Sequence, residues 1–398
     1  MTYTYDIEIE KEKSMTDNIF YTAPHFEQDI VKAKDEYMYD SSGKEYIDFE
    51  SGIWCCALGH SNDRVNQAIK DQLDKVTHLH TKLVNSVSKK AADDLLIITG
   101  IKKGKAVFLT SGSEAVEMGL KLSFAATDRK KAIMFSNSYY SALGTTGNYK
   151  NEECIIKKDF TAYDENEPES FFSEIDFSQV ACCIFELGSA SGRVLFPHEK
   201  LVRELSQRVK SSGGYVISNE VTTGYGRTGK YFGFQHYDIM PDIVCMGKGI
   251  GNGYPVSAVV MTDHVASAMT GKSIGHVQSH QNDPLGGAVV SAVIKEFEER
   301  DLIRASANKG KLLSKELMTL KEKFQCIKDV RGRGMMHAVE FDQKILVADI
   351  SAMMFEKGFL IGANGLYNVL RFDPCLIINE ESILKMTKEL EKILNQLM

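Results

Sequence analysis

Residues 106–125, AVFLTSGSEAVEMGLKLSFA, read as a buried strand, a turn of small residues and a helix. AVFLT (106–110) is apolar on both sides of the chain, as strands covered on two faces are. Ala115, Met118, Leu122 and Ala125 then recur at helical spacing. The same texture repeats along the chain. AIMF (132–135), VACCIFE (180–186), YVISN (215–219), DIVCM (242–246) and VSAVVM (256–261) are further strand candidates. Helical stretches separate them, such as the one with Val65, Ile69 and Leu73 on one face. Alternating strands and helices predict an α/β fold with a large, doubly wound, mostly parallel sheet.

Past about residue 283 the texture changes. Charged helical stretches at 285–300 and 304–323 precede short strands at 335–341 and 368–372. A last helix begins behind Asn379 and carries Ile383, Met386, Leu390, Leu394 and Leu397 on one face. The division expected is a large domain over 48–284 and a smaller α+β domain over 285–398, with residues 1–47 joining the small one. Length agrees, since 398 residues make about two to three structural units.

Composition excludes several classes. With 43% hydrophobic and 25% charged residues the chain is ordinary globular protein, neither disordered nor a disulfide scaffold. A net charge of −7 argues against a nucleic-acid binder, which needs a basic face. No apolar run approaches the roughly 20 residues of a membrane helix. The first residues, MTYTYDIEIEKEKS, have no apolar signal core. The eight cysteines form no CxxC pair and show no metal-ligand spacing, so no metal is expected, and a reduced, cytoplasmic protein is.

Two places carry chemistry. At Ser111-Gly112-Ser113 the free N–H groups and the positive end of the helix make an anion site, and Ser113 adds a hydroxyl. The same residues also read as a plain Ser-x-x-Glu cap, and both readings stand. Lys248 follows DIVCM and opens the glycine-rich turn Gly249-Ile250-Gly251-Asn252-Gly253. At the carboxyl end of a buried strand, a lysine sits where α/β proteins place their ligands; desolvated there, it is a Schiff-base nucleophile. Alone it also reads as a surface loop lysine. Asn219-Glu220-Val221, ending another strand, places a second polar group at such an edge.

With these motifs in hand, the chain resembles the pyridoxal-phosphate enzymes of fold type I, aminotransferase class III. The resemblance covers about Asp48 to Leu376. It is carried by IDFESGIWCCALGH (47–60), FLTSGSEAVE (108–117), SYYS (138–141), SNEVTTGYGRTGK (218–230), MGKGIGNGYP (246–255), HQNDPL (280–285), VRGRG (330–334) and VLRFDPCL (369–376). It implies pyridoxal 5′-phosphate as cofactor, with Lys248 as the catalytic residue that forms the Schiff base and moves the proton. Gly112 and Ser113 would hold the phosphate, Tyr139 would stack on the ring and Val221 would pack on its other face. Thr222 stands where the family has a glutamine contacting the cofactor's phenolic oxygen. Ser279 matches a threonine that reaches the phosphate of a neighbouring subunit, which implies a homodimer with shared sites. Arg371 matches the arginine for a substrate carboxylate, and Trp54 a wall of the substrate pocket. Tyr139 and Trp54 also read as core aromatics, and Arg371 as a structural ion pair.

The departures from the family pattern matter as much. Asn219 replaces an aspartate that keeps the pyridine nitrogen protonated, so a weaker electron sink is expected. Glu220 faces the other side of the strand and is no substitute. Ser191 stands where many ω-aminotransferases have a glutamate that pairs with the substrate arginine, so Arg371 is expected to remain free for a carboxylate. The resemblance implies amino transfer from an amino compound to a 2-oxo acid through pyridoxamine phosphate. The rival readings are a racemase, epimerase or decarboxylase of the same family, 2,2-dialkylglycine decarboxylases sharing the serine and the His-x-x-Asp-Pro stretch, or a cofactor-binding protein of low activity because of Asn219.

Overall fold

The computed structural model describes residues 18–21, 25–147, 153–188, 191–342 and 345–397. In chain order its strands are β1 (Ile30–Lys34), β2 (Tyr37–Asp40), β3 (Glu45–Asp48), β4 (Gly104–Leu109), β5 (Lys131–Phe135), β6 (Ile155–Lys158), β7 (Val180–Phe185), β8 (Tyr215–Asn219), β9 (Ile243–Met246), β10 (Ser257–Thr262), β11 (Ile327–Arg333), β12 (Met336–Phe341), β13 (Phe359–Leu360), β14 (Gly362–Asn364) and β15 (Val369–Phe372).

Seven of them form the large sheet in the order β4-β10-β9-β8-β7-β5-β6. The run from β9 through β6 is parallel, while β10 is antiparallel to both its neighbours. All six residues of β7 are buried, which a strand requires when helices cover both faces. The crossover helices include Gly112–Thr127 and Glu199–Ser211. All six strands read from sequence are present; the edge strand β6, with two lysines in four residues, was not legible as one.

Two four-stranded sheets complete the fold. One, β11-β12-β15-β14, is antiparallel and carries the helices Leu302–Lys323 and Glu380–Leu397 nearby. The other, β1-β2-β3-β13, joins the N-terminal strip to the C-terminal segment, because β13 pairs with β3 in parallel. In the last helix Ile383, Met386, Leu390 and Leu394 are buried, whereas Leu397 is exposed. Asn379 precedes that helix, and both its N–H and its side-chain amide donate to Glu36 Oε1. Among the described residues no helix is long and apolar enough to cross a membrane.

Candidate functional site

The carboxyl ends of β4, β7, β8 and β9 converge on one cleft of about 350 Å³. This is where an open α/β sheet presents its ligand site. Its lining holds Trp54, Gly112, Ser113, Tyr139, Asn219, Val221, Thr222 and Lys248, all singled out from sequence. Ile53, Ser111, Tyr140 and Glu186 line it too.

The helix Gly112–Thr127 points its N-terminus into this cleft. Ser111 is its cap: the Ser111 hydroxyl accepts from the Glu114 N–H at 3.2 Å, and Glu114 Oε2 accepts from the Ser111 N–H at 3.2 Å. The cap and the anion-site readings are therefore compatible, since the cap occupies Ser111 and Glu114 and leaves the Gly112 and Ser113 N–H groups at the helix start. Ser113 Oγ accepts from the Ala142 N–H at 3.0 Å, and its hydroxyl also bonds the Tyr139 side chain. Gly112 is required sterically: a Cβ there would stand 2.6 Å from Val221 Cγ1. Gly247, just before the lysine, packs closely too, with a Cβ 3.1 Å from Gly112 Cα. The lysine turn, Val221 and the helix start thus interlock.

Lys248 has φ +48°, a left-handed conformation that costs a non-glycine residue about 1–3 kcal/mol and is held by its surroundings. Its Nζ bonds Thr222 Oγ1 at 2.9 Å and lies 4.6 Å from the centre of the Trp54 ring. Desolvation drives its pKa down to about 8, against the pull of the Glu186 carboxylate. A lysine so placed is partly neutral near physiological pH, the form a carbonyl needs.

Asn219 is fixed at both ends of its amide. Nδ2 donates to the Tyr139 oxygen at 3.4 Å, and Oδ1 accepts from the Val221 N–H at 3.2 Å. Glu220 does face away: its carboxylate accepts from Ser218, Thr223, Gly233 and Phe234, in a wholly buried position. Glu186, unassigned from sequence, accepts the Tyr139 N–H at 2.8 Å and so sets that ring.

Trp54 reaches the cleft on an unusual turn. Ser51, Gly52, Ile53 and Trp54 have φ of +43°, +60°, +56° and +68°. A left-handed turn costs roughly 1–2 kcal/mol for each residue with a side chain. Asp48 holds it, accepting from the Glu50 N–H at 2.7 Å, the Gly52 N–H at 2.8 Å and His60 Nε2 at 2.8 Å. Burial opposes charge on His60, but the Asp48 hydrogen bond and Cys56 outweigh it and raise the pKa to about 10.

Arg371 sits apart from the cleft lining. It is buried, stacked 4.1 Å from the centre of the Trp54 ring. The expectation that it stays unneutralised is corrected: Asp373, wholly buried, receives Nε at 3.1 Å and Nη2 at 3.3 Å. The physical reason is that Asp373 lies two residues on, on the same side of an extended segment. Glu50 lies close to the same pair, and burial with Asp48 and Asp373 raises its pKa to about 7. Ser191 donates to the Asn137 oxygen at 2.8 Å. Ser279 is exposed and lines no part of its own chain's cleft.

One group of metal-type ligands exists among the described residues. His78 Nδ1 and His280 Nδ1 lie 2.8 Å and 2.6 Å from the Asp283 carboxylate. Hydrogen bonds from the two imidazoles account for this arrangement.

The sequence profile of aminotransferase class III matches residues 21–394. Acetylornithine aminotransferase of Bacillus subtilis is 32% identical over 94% of this chain and 97% of its own length. The LysW-aminoadipate semialdehyde/glutamate semialdehyde transaminase of Sulfolobus acidocaldarius is 30% identical over 89% and 91%. Among solved structures, an S-selective transaminase from Arthrobacter sp. superposes with a TM-score of 0.86, at 26% identity over 94% of each chain.

Proposed function

The chain belongs to the class III aminotransferases, pyridoxal 5′-phosphate enzymes of fold type I, and from that premise we propose how its own residues perform amino transfer to a 2-oxo acid. The cleft fits the cofactor. Its volume is that of a small-molecule site, and Gly112, whose Cβ would stand 2.6 Å from Val221, leaves backbone N–H groups open at a helix start. When bound, pyridoxal phosphate supplies the carbonyl carbon that takes up the amino group and the ring that draws electrons from the donor's Cα.

Gly112 and Ser113 then hold the phosphate through N–H groups and the Ser113 hydroxyl. Tyr139, set by Glu186, and Val221 confine the two faces of the ring. Asn219, with one Nδ2 hydrogen left over from the Tyr139 bond, would donate it to the ring nitrogen. Its carbonyl oxygen is engaged by Val221 and its charge is zero, so it stabilises an unprotonated nitrogen. Lys248 Nζ would take the proton from the donor's Cα and deliver it to the carbon that had been the cofactor's carbonyl, with Thr222 fixing its position between the two acts. Arg371 receives a substrate carboxylate bidentately. The relatives named for acetylornithine and for two semialdehydes are named for carboxylate-bearing compounds, which supports that role.

The working form is a homodimer in the cytoplasm, with Ser279 of each chain reaching the other's phosphate. Val84 and Val277 are 97% and 94% exposed in the single chain, apolar side chains of the kind a second copy would cover. All eight cysteines are free thiols, in keeping with a reducing compartment. The domain division at 48–284 and 285–398 is part of the same reading, supported by the separate large and small sheets.

The observation that carries the proposal is Lys248, its amine made available by burial, in one cleft with the Gly112–Ser113 helix start and Asn219. The test is turnover of the cofactor-loaded enzyme with a panel of donors and a 2-oxo acid. A new amino acid should form in equal amount to the donor's carbonyl product, and only with both substrates present. Racemisation of a single amino acid without acceptor, and no exchange, would overturn the assignment in favour of racemase chemistry.

A further inference from the structure

Trp54 is the only tryptophan of the chain and stands against two cations at once. Its ring centre is 4.6 Å from Lys248 Nζ and 4.1 Å from Arg371 Cζ. The indole lines the cleft, whereas Arg371 does not and is 3% exposed. The ring therefore covers the guanidinium from the cleft side. Two donors at this contact have no partner among the described residues: Trp54 Nε1 and Arg371 Nη1, both buried. A buried donor without an acceptor is costly. An incoming carboxylate would satisfy Nη1 directly, and an indole turned outward would give Nε1 to water. The turn beneath the ring is poised for such a change, because Ser51 through Trp54 all lie in the left-handed region and Ile53 is β-branched. Asp373 leaves the way open, since it engages Nε and Nη2 and not Nη1.

We propose that Trp54 is a specificity gate over Arg371: its indole stays on the guanidinium when the substrate is a plain amine and is displaced when the substrate carries a carboxylate. Substrates with a carboxylate must then drive the ring off Arg371 before they dock, and amines bind the cleft as it stands. This rests on the assignment of Arg371 to the substrate carboxylate. Ile53 lines the cleft and also bears on the gate through the strained turn.

The experiment uses the cofactor-loaded enzyme and a matched pair of donors, an amino acid and the amine that lacks only its carboxylate. The readout is the ratio of their kcat/KM values in the half-reaction. Trp54→Ala should raise the acid-to-amine ratio about tenfold, because the acid no longer has to displace the ring. Ile53→Gly, which relieves the left-handed turn and favours the covered state, should lower the ratio. A ratio unmoved by both variants overturns the gate. Arg371→Ala separates the two levels of the argument: a ratio it leaves unchanged removes the carboxylate role itself, and the gate with it. If it lowers the ratio and the Trp54 and Ile53 variants do not, the gate alone is wrong. Tryptophan emission gives a second readout that needs no variant. In the unsubstituted enzyme, propionate should make the emission more quenchable by acrylamide and propylamine should not; equal responses would overturn the proposal.

Discussion

The side-chain amide of Asn219 donates to the main-chain oxygen of Tyr139 at 3.4 Å, tying together two residues of the cleft lining. Because Oδ1 simultaneously accepts from Val221, the amide cannot flip without losing both bonds. An aspartate here would keep the Val221 bond and bring a negative charge to the place of the Asn219 amide, where it would hold a proton on the ring nitrogen. Asn219→Asp should therefore protonate the ring nitrogen and accelerate each half-reaction about tenfold or more, equivalent to about 1.4 kcal/mol of barrier. Single-turnover kinetics with a good donor measure this. A rate that stays level or falls removes the electron-sink argument.

Lys248 predicts a pH dependence of cofactor capture. Its pKa of about 8 lies below the ordinary lysine value, so the neutral amine gains population as pH rises and dominates above about 8. The rate at which cofactor-free protein takes up pyridoxal phosphate should climb from pH 6 and level off past about 8. Lys248→Ala should abolish the lysine-bound absorption band and turnover together. A capture rate flat between pH 6 and 9 would show that desolvation does not set this amine.

Asp48 anchors the left-handed turn through two backbone N–H groups and His60. The raised pKa of His60 means that the pair contributes its full stability below pH about 6.5 and loses it as pH rises through about 10. Asp48→Asn leaves a buried imidazolium without its counter-ion, which should cost about 3 kcal/mol near neutrality. Denaturant titration at pH 7 checks the magnitude. The deficit should shrink toward pH 10, and one that is the same at both pH values would place the cost in the backbone bonds alone.

Much of this architecture is written in local patterns. Both-sided apolar runs such as Val180–Phe185 can only be covered strands, and Ser111-Gly112-Ser113 can only start a helix whose N–H groups need partners. Lys248 and the Gly112–Ser113 turn were legible as strand ends that the sheet topology must gather, whereas Trp54, Tyr139, Val221 and Thr222 followed from the family resemblance. What escaped depended on long-range placement. Glu186 was visible as the end of a strand, but its bond to the Tyr139 N–H spans 47 positions. The parallel pairing of the two-residue β13 with β3 has no periodic signature at all. Asp373 is the exception that could have been found: two residues beyond Arg371 on an extended segment, it shares a side with it, and the i, i+2 rule alone pairs them.

Glu50 adds a second carboxylate to that pair, and its titration gives the last prediction. Burial, Asp48 and Asp373 raise its pKa to about 7, and Arg371 only partly offsets them. In the unfolded chain it titrates near 4.5. Between those values the folded state holds the proton and the unfolded state does not, so stability is present below about 4.5 and is lost as pH rises to about 7. Glu50→Gln should remove this slope, flattening the melting temperature across that window, with a gain over the parent at pH 7 on the order of 1–2 kcal/mol. The same titration changes the charge around the substrate arginine. Below pH 7 Arg371 faces Asp373 alone; above it, Glu50⁻ competes with an incoming carboxylate. The KM of a carboxylate-bearing donor should therefore rise through pH 7 in the parent and stay level in Glu50→Gln, while that of the matching amine is insensitive in both. A melting curve that flattens without the KM change would confine Glu50 to stability; a KM that still rises in the variant would assign the titration to another group.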